Sequence, residues 1–345
     1  MPTTMNRQWL LASRPGGMIS EANFRWNEAT VPALGEGQVL VRNLWLSFDP
    51  TQRGWMSRDT YVPMVPIGEV MRAASVGQIV ESRHPRYKTG QIVQGGFGWQ
   101  DYAVTDGGGV LPMRPIPPGV LPNLALSLFG ITGLTAYFGI LDLGQAKKGE
   151  TVVVSGAAGA TGSIVGQIAK LLGCRVVGTA GGAAKCEWLV RECGFDAAID
   201  YRSEDVGARL SALCPDGIDV FFDNVGGVVL NEVLARINLK ARIVLCGAIS
   251  QYNDATPPPG PPNYFNLTLK RARMEGFIVL DYADRFPEAV AKLAQWYQSG
   301  VLKQKEDVAH GLENAPKTLI RLFTGENFGK QLLKIADPPL RPLAG

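Results

Sequence analysis

Hydrophobic positions fall into two textures along the chain. As far as Pro122 they come in short runs broken by glycine and proline. The segment 39–46, Val-Leu-Val-Arg-Asn-Leu-Trp-Leu, reads as extended, and 78–81, 90–93 and 101–104 read as further short strands. Strands punctuated this closely predict a small β-barrel or sandwich. Beyond Pro122 apolar, β-branched runs alternate with longer segments of helical period. The pattern predicts strands at 151–155, 175–179, 197–201, 218–224 and 241–246, with helices at 161–172, 183–193, 204–213 and 228–237 between them. That rhythm is the signature of a doubly wound parallel sheet with helices on both faces. Its strands are continuously apolar, as burial on both faces requires. A further helix is expected at 284–298. The proline-rich stretch 256–262 can continue neither element and is expected to be a loop. The segment 330–335 reads as a short strand that returns to the first domain.

One stretch needs separate treatment. Residues 124–141 carry no charge, and 18 residues could span a bilayer. They include Gly130, Gly133 and Gly139 with Ser127, Thr132 and Thr135, and no comparable run accompanies them, so a buried helix is the expectation. The first residues show no apolar stretch followed by a cleavage site, which argues against a secretory signal. With 345 residues, 46% hydrophobic, the chain suits two globular domains. A net charge of +3 without Lys/Arg runs gives no sign of nucleic-acid or anionic-membrane binding. The cysteines at 174, 186, 193, 214 and 246 are odd in number and form no Cys-x-x-Cys pair. This speaks against a disulfide framework or a structural zinc cluster and for a reducing cytoplasm.

The chemistry sits at Gly156-Ala157-Ala158-Gly159-Ala160-Thr161-Gly162, directly after a β-branched strand and opening a helix. Glycines there permit a tight turn and close approach of backbone to a pyrophosphate, while the helix N-terminus offers amides and a positive dipole end. The strand before and the βαβ alternation after turn a weak spacing motif into a strong one. Sites that prefer NAD place an acid about 20 residues on, to grip the ribose hydroxyls. Here the end of the second strand reads Gly178-Thr179-Ala180-Gly181-Gly182-Ala183-Ala184-Lys185. It has no acid and one lysine, and Tyr201-Arg202 ends the third strand. A 2′-phosphate is repelled by an acid and attracted by a lysine, so NADPH is expected rather than NADH.

These residues resemble the zinc-independent medium-chain dehydrogenases/reductases, in particular the prostaglandin reductase and alkenal double-bond reductase group with its bacterial curcumin-reductase-like members. The resemblance runs nearly end to end. It rests on Ser47-Phe48-Asp49-Pro50, Pro66-Ile67-Gly68-Glu69-Val70-Met71-Arg72, the run from Ala157 to Lys170, Phe222-Asp223-Asn224-Val225-Gly226-Gly227, the run from Leu245 to Asn253, and Gly325-Glu326-Asn327-Phe328-Gly329-Lys330. It implies a chaperonin-10-like (GroES-like) β-barrel catalytic domain over 1–124 and 314–345, and an NADP-binding Rossmann domain over 125–313. It implies that Gly159, Ala160, Thr161 and Gly162 hold the pyrophosphate, and Lys185 and Tyr201 the 2′-phosphate end. Asn224, Cys246 and Gly247 would line the cofactor at the strand ends, and Phe277, Ile278, Val279 and Asn327 would border the nicotinamide. Homodimers are usual in the group. Zinc-dependent cousins carry a cysteine near Asp49 and Gly-His-Glu near position 68, both missing here. Only His84 and His310 exist in the chain, so three good zinc ligands cannot be assembled. Relatives often have a tyrosine, facing the substrate, where this chain has Thr51.

The expected reaction is hydride transfer to the β-carbon of an α,β-unsaturated ketone or aldehyde, which builds negative charge on the carbonyl oxygen. Tyr252, just past the fifth strand of the parallel sheet, is the candidate hydrogen-bond donor to that oxygen. The last proton is left to the cofactor's ribose 2′-hydroxyl or to water. Trp55, Tyr61, Phe97, Trp99, Tyr264 and Phe265 are candidates to line an apolar cleft, though ordinary packing is the favoured reading for each alone, and 259–264 is a candidate lid or a rigid proline-rich connector. The alternatives are an NADPH:quinone oxidoreductase and a non-catalytic NADPH-binding protein.

Overall fold

The computed structural model describes residues 4–256 and 258–340. By internal contacts the chain divides into two compact units, one reaching Ser127 and resuming at Asp307, the other running Leu128–Glu306. The strands up to the first crossing are β1 (Met5–Leu11), β2 (Phe24–Thr30), β3 (Val39–Ser47), β4 (Ser75–Ser82), β5 (Ile92–Gly95), β6 (Tyr102–Thr105) and β7 (Arg114–Pro115). The next six are β8 (Thr151–Val154), β9 (Arg175–Ala180), β10 (Ala197–Asp200), β11 (Ile218–Asp223), β12 (Ile237–Leu245) and β13 (Arg273–Gly276). The chain returns through β14 (Glu306–His310) and β15 (Lys330–Lys334).

In the first unit β1 and β2 pair antiparallel, with Trp9 opposite Trp26. The larger antiparallel sheet runs β14-β15-β3-β4-β5-β7. The nine residues of β3 serve two neighbours in turn: Val39–Arg42 pair with β6 and Trp45–Ser47 with β15. Register shifts against β4 after Leu40 and Asn43 mark where the strand bends to do so. The core beneath includes Leu11, Phe24, Leu46, Phe48 and Trp99 from this sheet region with Leu312, Leu319 and Leu333 from the returning segment. Trp99 is fully buried and lies 5.0 Å from Phe24 and 5.2 Å from Phe48, ring to ring. Phe97 is likewise buried. Both are packing residues, as is Trp55, 6% exposed in the same core as Trp99. Tyr264 and Phe265, at 62% and 59% exposed, are surface residues.

The second unit is a six-stranded parallel sheet in the order β10-β9-β8-β11-β12-β13. The first strand of the unit lies inside and the sheet grows outward on both sides, so the order reverses between β8 and β11. Ligands of such sheets bind outside the carboxyl ends of the strands at that point. One face packs Val153, Val177, Ile199, Phe221 and Ile243 against Leu210, Val233 and Leu234 of the helices Val206–Leu213 and Gly227–Leu234. Each such side chain contributes roughly 1.5–3 kcal/mol on burial.

Two expectations change. The run 124–141 is not one helix but a short helix Pro122–Leu126, a turn over 127–130, a helix Ile131–Phe138 and a π turn Gly139–Leu143. The chain passes from one unit to the other at 127–128, and Gly130 in extended conformation caps the new helix. Among the described residues no helix is long and apolar enough to cross a membrane. The strand expected at 241–246 begins earlier, at Ile237, because the preceding helix stops at Leu234. The edge strand β13, Arg-Met-Glu-Gly, carries no apolar run and had no signal in the hydrophobic pattern. The proline-rich segment, of which Pro257 lies outside the described residues, leads to side-chain anchors. Asn263 donates to the Asn231 carbonyl at 2.8 Å and Asn266 to that of Leu234 at 3.0 Å.

Candidate active site

The ligand edge of the second unit is built from three strand ends. At the first, β8 runs into the glycine turn, and the helix Ala160–Leu171 starts with Gly159 as its cap in extended conformation and no side-chain cap. The Gly159 amide closes the turn on the Gly156 carbonyl at 3.0 Å. The amides of Ala160, Thr161 and Gly162 stand in the first helical turn, where no intrahelical acceptor reaches them. Gly162 is required by close approach: a Cβ there would lie 2.5 Å from the Gly156 carbonyl oxygen and 2.9 Å from Ala157 Cα. The sequence therefore folds into a cradle of amides without side chains, which suits a pyrophosphate.

At the second strand end, β9 closes on Gly181. A Cβ at Gly181 would meet the Tyr201 hydroxyl at 2.8 Å and Arg202 Nε at 2.9 Å, so both side chains from the end of β10 lie over this backbone. Gly182 caps the helix Ala183–Arg191, whose first turn carries half-buried Lys185. A residue with no assigned role holds the corner. Asp200 accepts the amides of Gly182 at 2.8 Å and Arg202 at 3.0 Å and the Ser203 hydroxyl at 2.9 Å. The two amide bonds, with smaller help from Ser203 and the Arg202 charge, hold its carboxyl below the ordinary range. Lys185, Tyr201 and Arg202 thus belong to one corner of the edge, a phenol and two cations suited to a phosphate monoester.

At the third, β11 and β12 end side by side. Asp223 is fully buried, and one carboxylate oxygen accepts the Ser155 hydroxyl at 2.7 Å and the amides of Val225 and Gly226 at 2.9 and 3.0 Å. Its other oxygen has no partner among the described residues. Burial raises this carboxyl, against the pull of those three donors. Asn224 donates to the Ser155 carbonyl at 2.7 Å, and Cys246 and Gly247 both donate their amides to the Asp223 carbonyl, at 2.9 and 3.0 Å. Burial pushes the Cys246 thiol up to about 12, so it is no nucleophile at neutral pH. Tyr252 follows a single 3-10 turn, Ile249–Gln251. Its hydroxyl oxygen accepts the Ala248 amide at 3.1 Å and lies 2.9 Å from where a Gly247 Cβ would be. The phenol is therefore held at the strand end beside Cys246 and Gly247. A hydroxyl can accept and donate at once.

The side chains of Phe277, half-buried, and Val279, buried, pack into a core with Leu134, Phe138 and Phe286. Ile278 precedes the 3-10 turn Val279–Arg285. Asn327 belongs to the first unit, where it donates to the Gly329 carbonyl at 3.2 Å. Nothing in the hydrophobic pattern pointed to Ser155, Asp200 or Asp223 as the brackets of this edge. The only signal was a polar residue directly at the end of each strand.

The first unit holds its own polar group. Lys330, 3% exposed, donates to Asp49 at 2.5 Å and to the Phe48 carbonyl at 3.0 Å, and Asp49 also accepts the Ser47 hydroxyl. Asp49 stands near where zinc-dependent cousins have a cysteine, and it is bound to an ammonium group. Among the described residues no three His, Cys, Asp or Glu side chains gather in a way that could hold a metal. The donor set does not fit catalytic zinc.

Comparison with known proteins agrees with this geometry. Residues 7–113 match a model described as the N-terminal domain of oxidoreductase, and 160–295 one described as zinc-binding dehydrogenase. The chain is 45% identical to an NADPH-dependent curcumin reductase of Escherichia coli over 96% of its own length and 97% of that protein's. It is 39% identical to an NADP(+)-dependent 2-alkenal reductase of Nicotiana tabacum, covering 96% and 98%. The crystal structure of CurA from Vibrio vulnificus in complex with NADPH superposes with a TM-score of 0.91 at 43% identity, covering 96% and 100%. The chain belongs to the zinc-independent medium-chain dehydrogenases/reductases, in the branch that holds the curcumin, alkenal and prostaglandin reductases.

Proposed function

We infer that the protein is an NADPH-dependent reductase of the carbon–carbon double bond of α,β-unsaturated ketones and aldehydes. The observation that carries this reading is the phenol of Tyr252, fixed by the Ala248 amide at the strand ends that flank the glycine cradle's switch point. When bound, NADPH supplies a hydride to the substrate β-carbon. The rest falls to this chain. The first-turn amides of the helix Ala160–Leu171 bind pyrophosphate oxygens. Lys185, Tyr201 and Arg202 bind the 2′-phosphate, with Asp200 bracing the corner. Asn224, Cys246 and Gly247 shape the edge with their backbone, itself bracketed by Asp223. Tyr252 donates to the carbonyl oxygen as negative charge builds there, which lowers the barrier where the charge appears. No histidine, nucleophile or metal is needed for such a reaction, because the cofactor carries the hard chemistry.

Two further readings go with it. The outer edge of β13 ends the parallel sheet, and Leu239, Tyr264, Phe265 and Leu269 are exposed in the same unit. Both features support a homodimer, which light scattering would test. All five cysteines are free, which supports a reducing, cytoplasmic setting.

The reading is tested by following NADPH oxidation against enones, enals, quinones and simple alcohols. Enones and enals are the expected substrates. Turnover of quinones alone would overturn the reading, and tight NADPH binding without any turnover would mark a binding protein. Tyr252→Phe is expected to lower kcat about 100-fold, the scale of losing one oxyanion donor. Lys185→Glu is expected to shift the NADPH/NADH preference toward NADH. An unchanged preference would remove Lys185 from the phosphate site.

A further inference from the structure

We propose that Asp223 is a positioning residue for the Tyr252 phenol: it fixes the glycine turn 224–227 on which the loop carrying that phenol is seated, so its loss lowers turnover more than NADPH affinity. The proposal rests on the reductase reading, in which Tyr252 donates to the substrate carbonyl.

Tyr252 ends a loop with little structure of its own. Between Leu245, the last residue of β12, and Tyr252 there is only the 3-10 turn Ile249–Gln251. The loop is held from outside, by the end of β11. Cys246 and Gly247 donate their amides to the Asp223 carbonyl at 2.9 and 3.0 Å, Ile249 donates to the Asn224 carbonyl at 3.2 Å, and Ser250 to that of Val225 at 3.2 Å. The Ser250 hydroxyl reaches the same Val225 carbonyl at 2.6 Å. Three successive carbonyls thus take up the loop from Cys246 to Ser250. Ala248 lies in the middle of that span, and its amide donates to the Tyr252 hydroxyl at 3.1 Å. The phenol is therefore set by Ala248, and Ala248 by the direction of those carbonyls.

The carbonyl directions depend on a turn that does not hold itself. Gly226 and Gly227 both have positive φ, at 72° and 57°. Glycine enters that conformation freely and leaves it as freely. The loop lies directly on this turn: a Cβ at Gly226 would stand 3.2 Å from Ala248 Cβ, and one at Gly227 3.1 Å from Ser250 Oγ. What fixes the turn is the fully buried side chain of Asp223. Its Oδ1 accepts the amides of Val225 and Gly226 and the Ser155 hydroxyl from the end of β8. Bonds to an ionised acceptor are about twice as strong as neutral ones. Burial raises the carboxyl while those donors pull it down, so its ionised form depends on them. An amide in its place would accept the same donors more weakly and bring two N–H groups into a buried site.

The test is a double-mutant cycle on the full chain, with NADPH and the neutral enone benzylideneacetone as probes. Asp223→Asn is expected to lower kcat about tenfold, the scale of a misplaced reacting group, and to change the NADPH Kd less than about threefold. In a Tyr252→Phe background the same substitution should cost less than about twofold, since the phenol it positions is gone. Ser250→Ala, at the exposed rim of the seat, is expected to lower kcat about threefold with the same dependence on Tyr252. It carries the cycle where Asp223→Asn melts too early to be assayed. Equal losses with and without the phenol would overturn the proposal, as would a loss confined to NADPH affinity. A second readout needs no turnover. Tyr252 labelled as a fluorinated tyrosine should give one sharp fluorine resonance that moves or splits on Asp223→Asn and on Ser250→Ala. Turnover of the enone with an unmoved resonance would overturn this proposal alone. A resonance that responds in a protein reducing no enone would overturn the reductase reading alone.

Discussion

The two units solve one problem, holding polar groups rigid at an edge, by opposite means. In the second unit the edge is made of main chain. The glycine turn closes on itself, the amides of Cys246 and Gly247 meet one carbonyl, and three short side chains at strand ends, Ser155, Asp200 and Asp223, act as brackets. In the first unit the polar groups are long side chains drawn from distant stretches. Lys330 reaches Asp49 across 281 positions, and Trp9 donates to the Leu312 carbonyl across 303. A site made of backbone tolerates loss of side chains but no added atom. A site made of paired side chains tolerates added atoms at its rim but not the loss of a partner.

The largest effect should come from breaking the first kind of pairing. Lys330→Met leaves Asp49 facing a buried apolar group, and removing one member of such a pair costs about 3–5 kcal/mol. Urea unfolding would read it, and Lys330→Met with Asp49→Asn should recover part of the loss through the coupling of the two sites. Additive losses would mean the pair is no unit. Gly162→Ala probes the other region. Its Cβ would stand 2.5 Å from main chain, so we expect a loss of about 1–3 kcal/mol together with weaker NADPH binding. If binding were unchanged, the cradle would not need its glycine and the contrast would fail. The smallest effect belongs to Asp200. Its folded carboxyl is held below the ordinary 3.8 by the Gly182 and Arg202 amides, so the stability it contributes is present above that value and lost as pH falls through the lower folded one. The melting difference between wild type and Asp200→Asn should be flat above about pH 5 and shrink below about pH 4. A difference that grew toward acid would show that the carboxylate strains the corner.

Much of this was legible in the chain because it depends on local order. The β-branched run before Gly156, the glycine spacing and the missing acid before Lys185 all lie within residues 151–185. They predict a strand, a turn, a helix and a preference for a phosphate without any long-range information. The break at 127–130 was not legible, because an uncharged run looks the same whether it forms one helix or two. Edge strand β13 was not legible either, since its partner β12 supplies the hydrogen bonds and no apolar face is demanded of it. Trp99 and Phe97, open in the sequence to either packing or cleft lining with packing favoured, are core.

What the sequence determined by itself is the cofactor half: the parallel sheet, its switch point and the glycine turn that opens a helix. These follow from periodicity and from residues whose neighbours in space are neighbours in the chain. Only the tertiary structure decided which distant groups pair and which are left to meet a ligand. Lys330 silences Asp49, and the phenol of Tyr252 is pinned by the Ala248 amide. The physical reason is that charge pairing and desolvation depend on distance in space, and a sequence lists only distance along the chain.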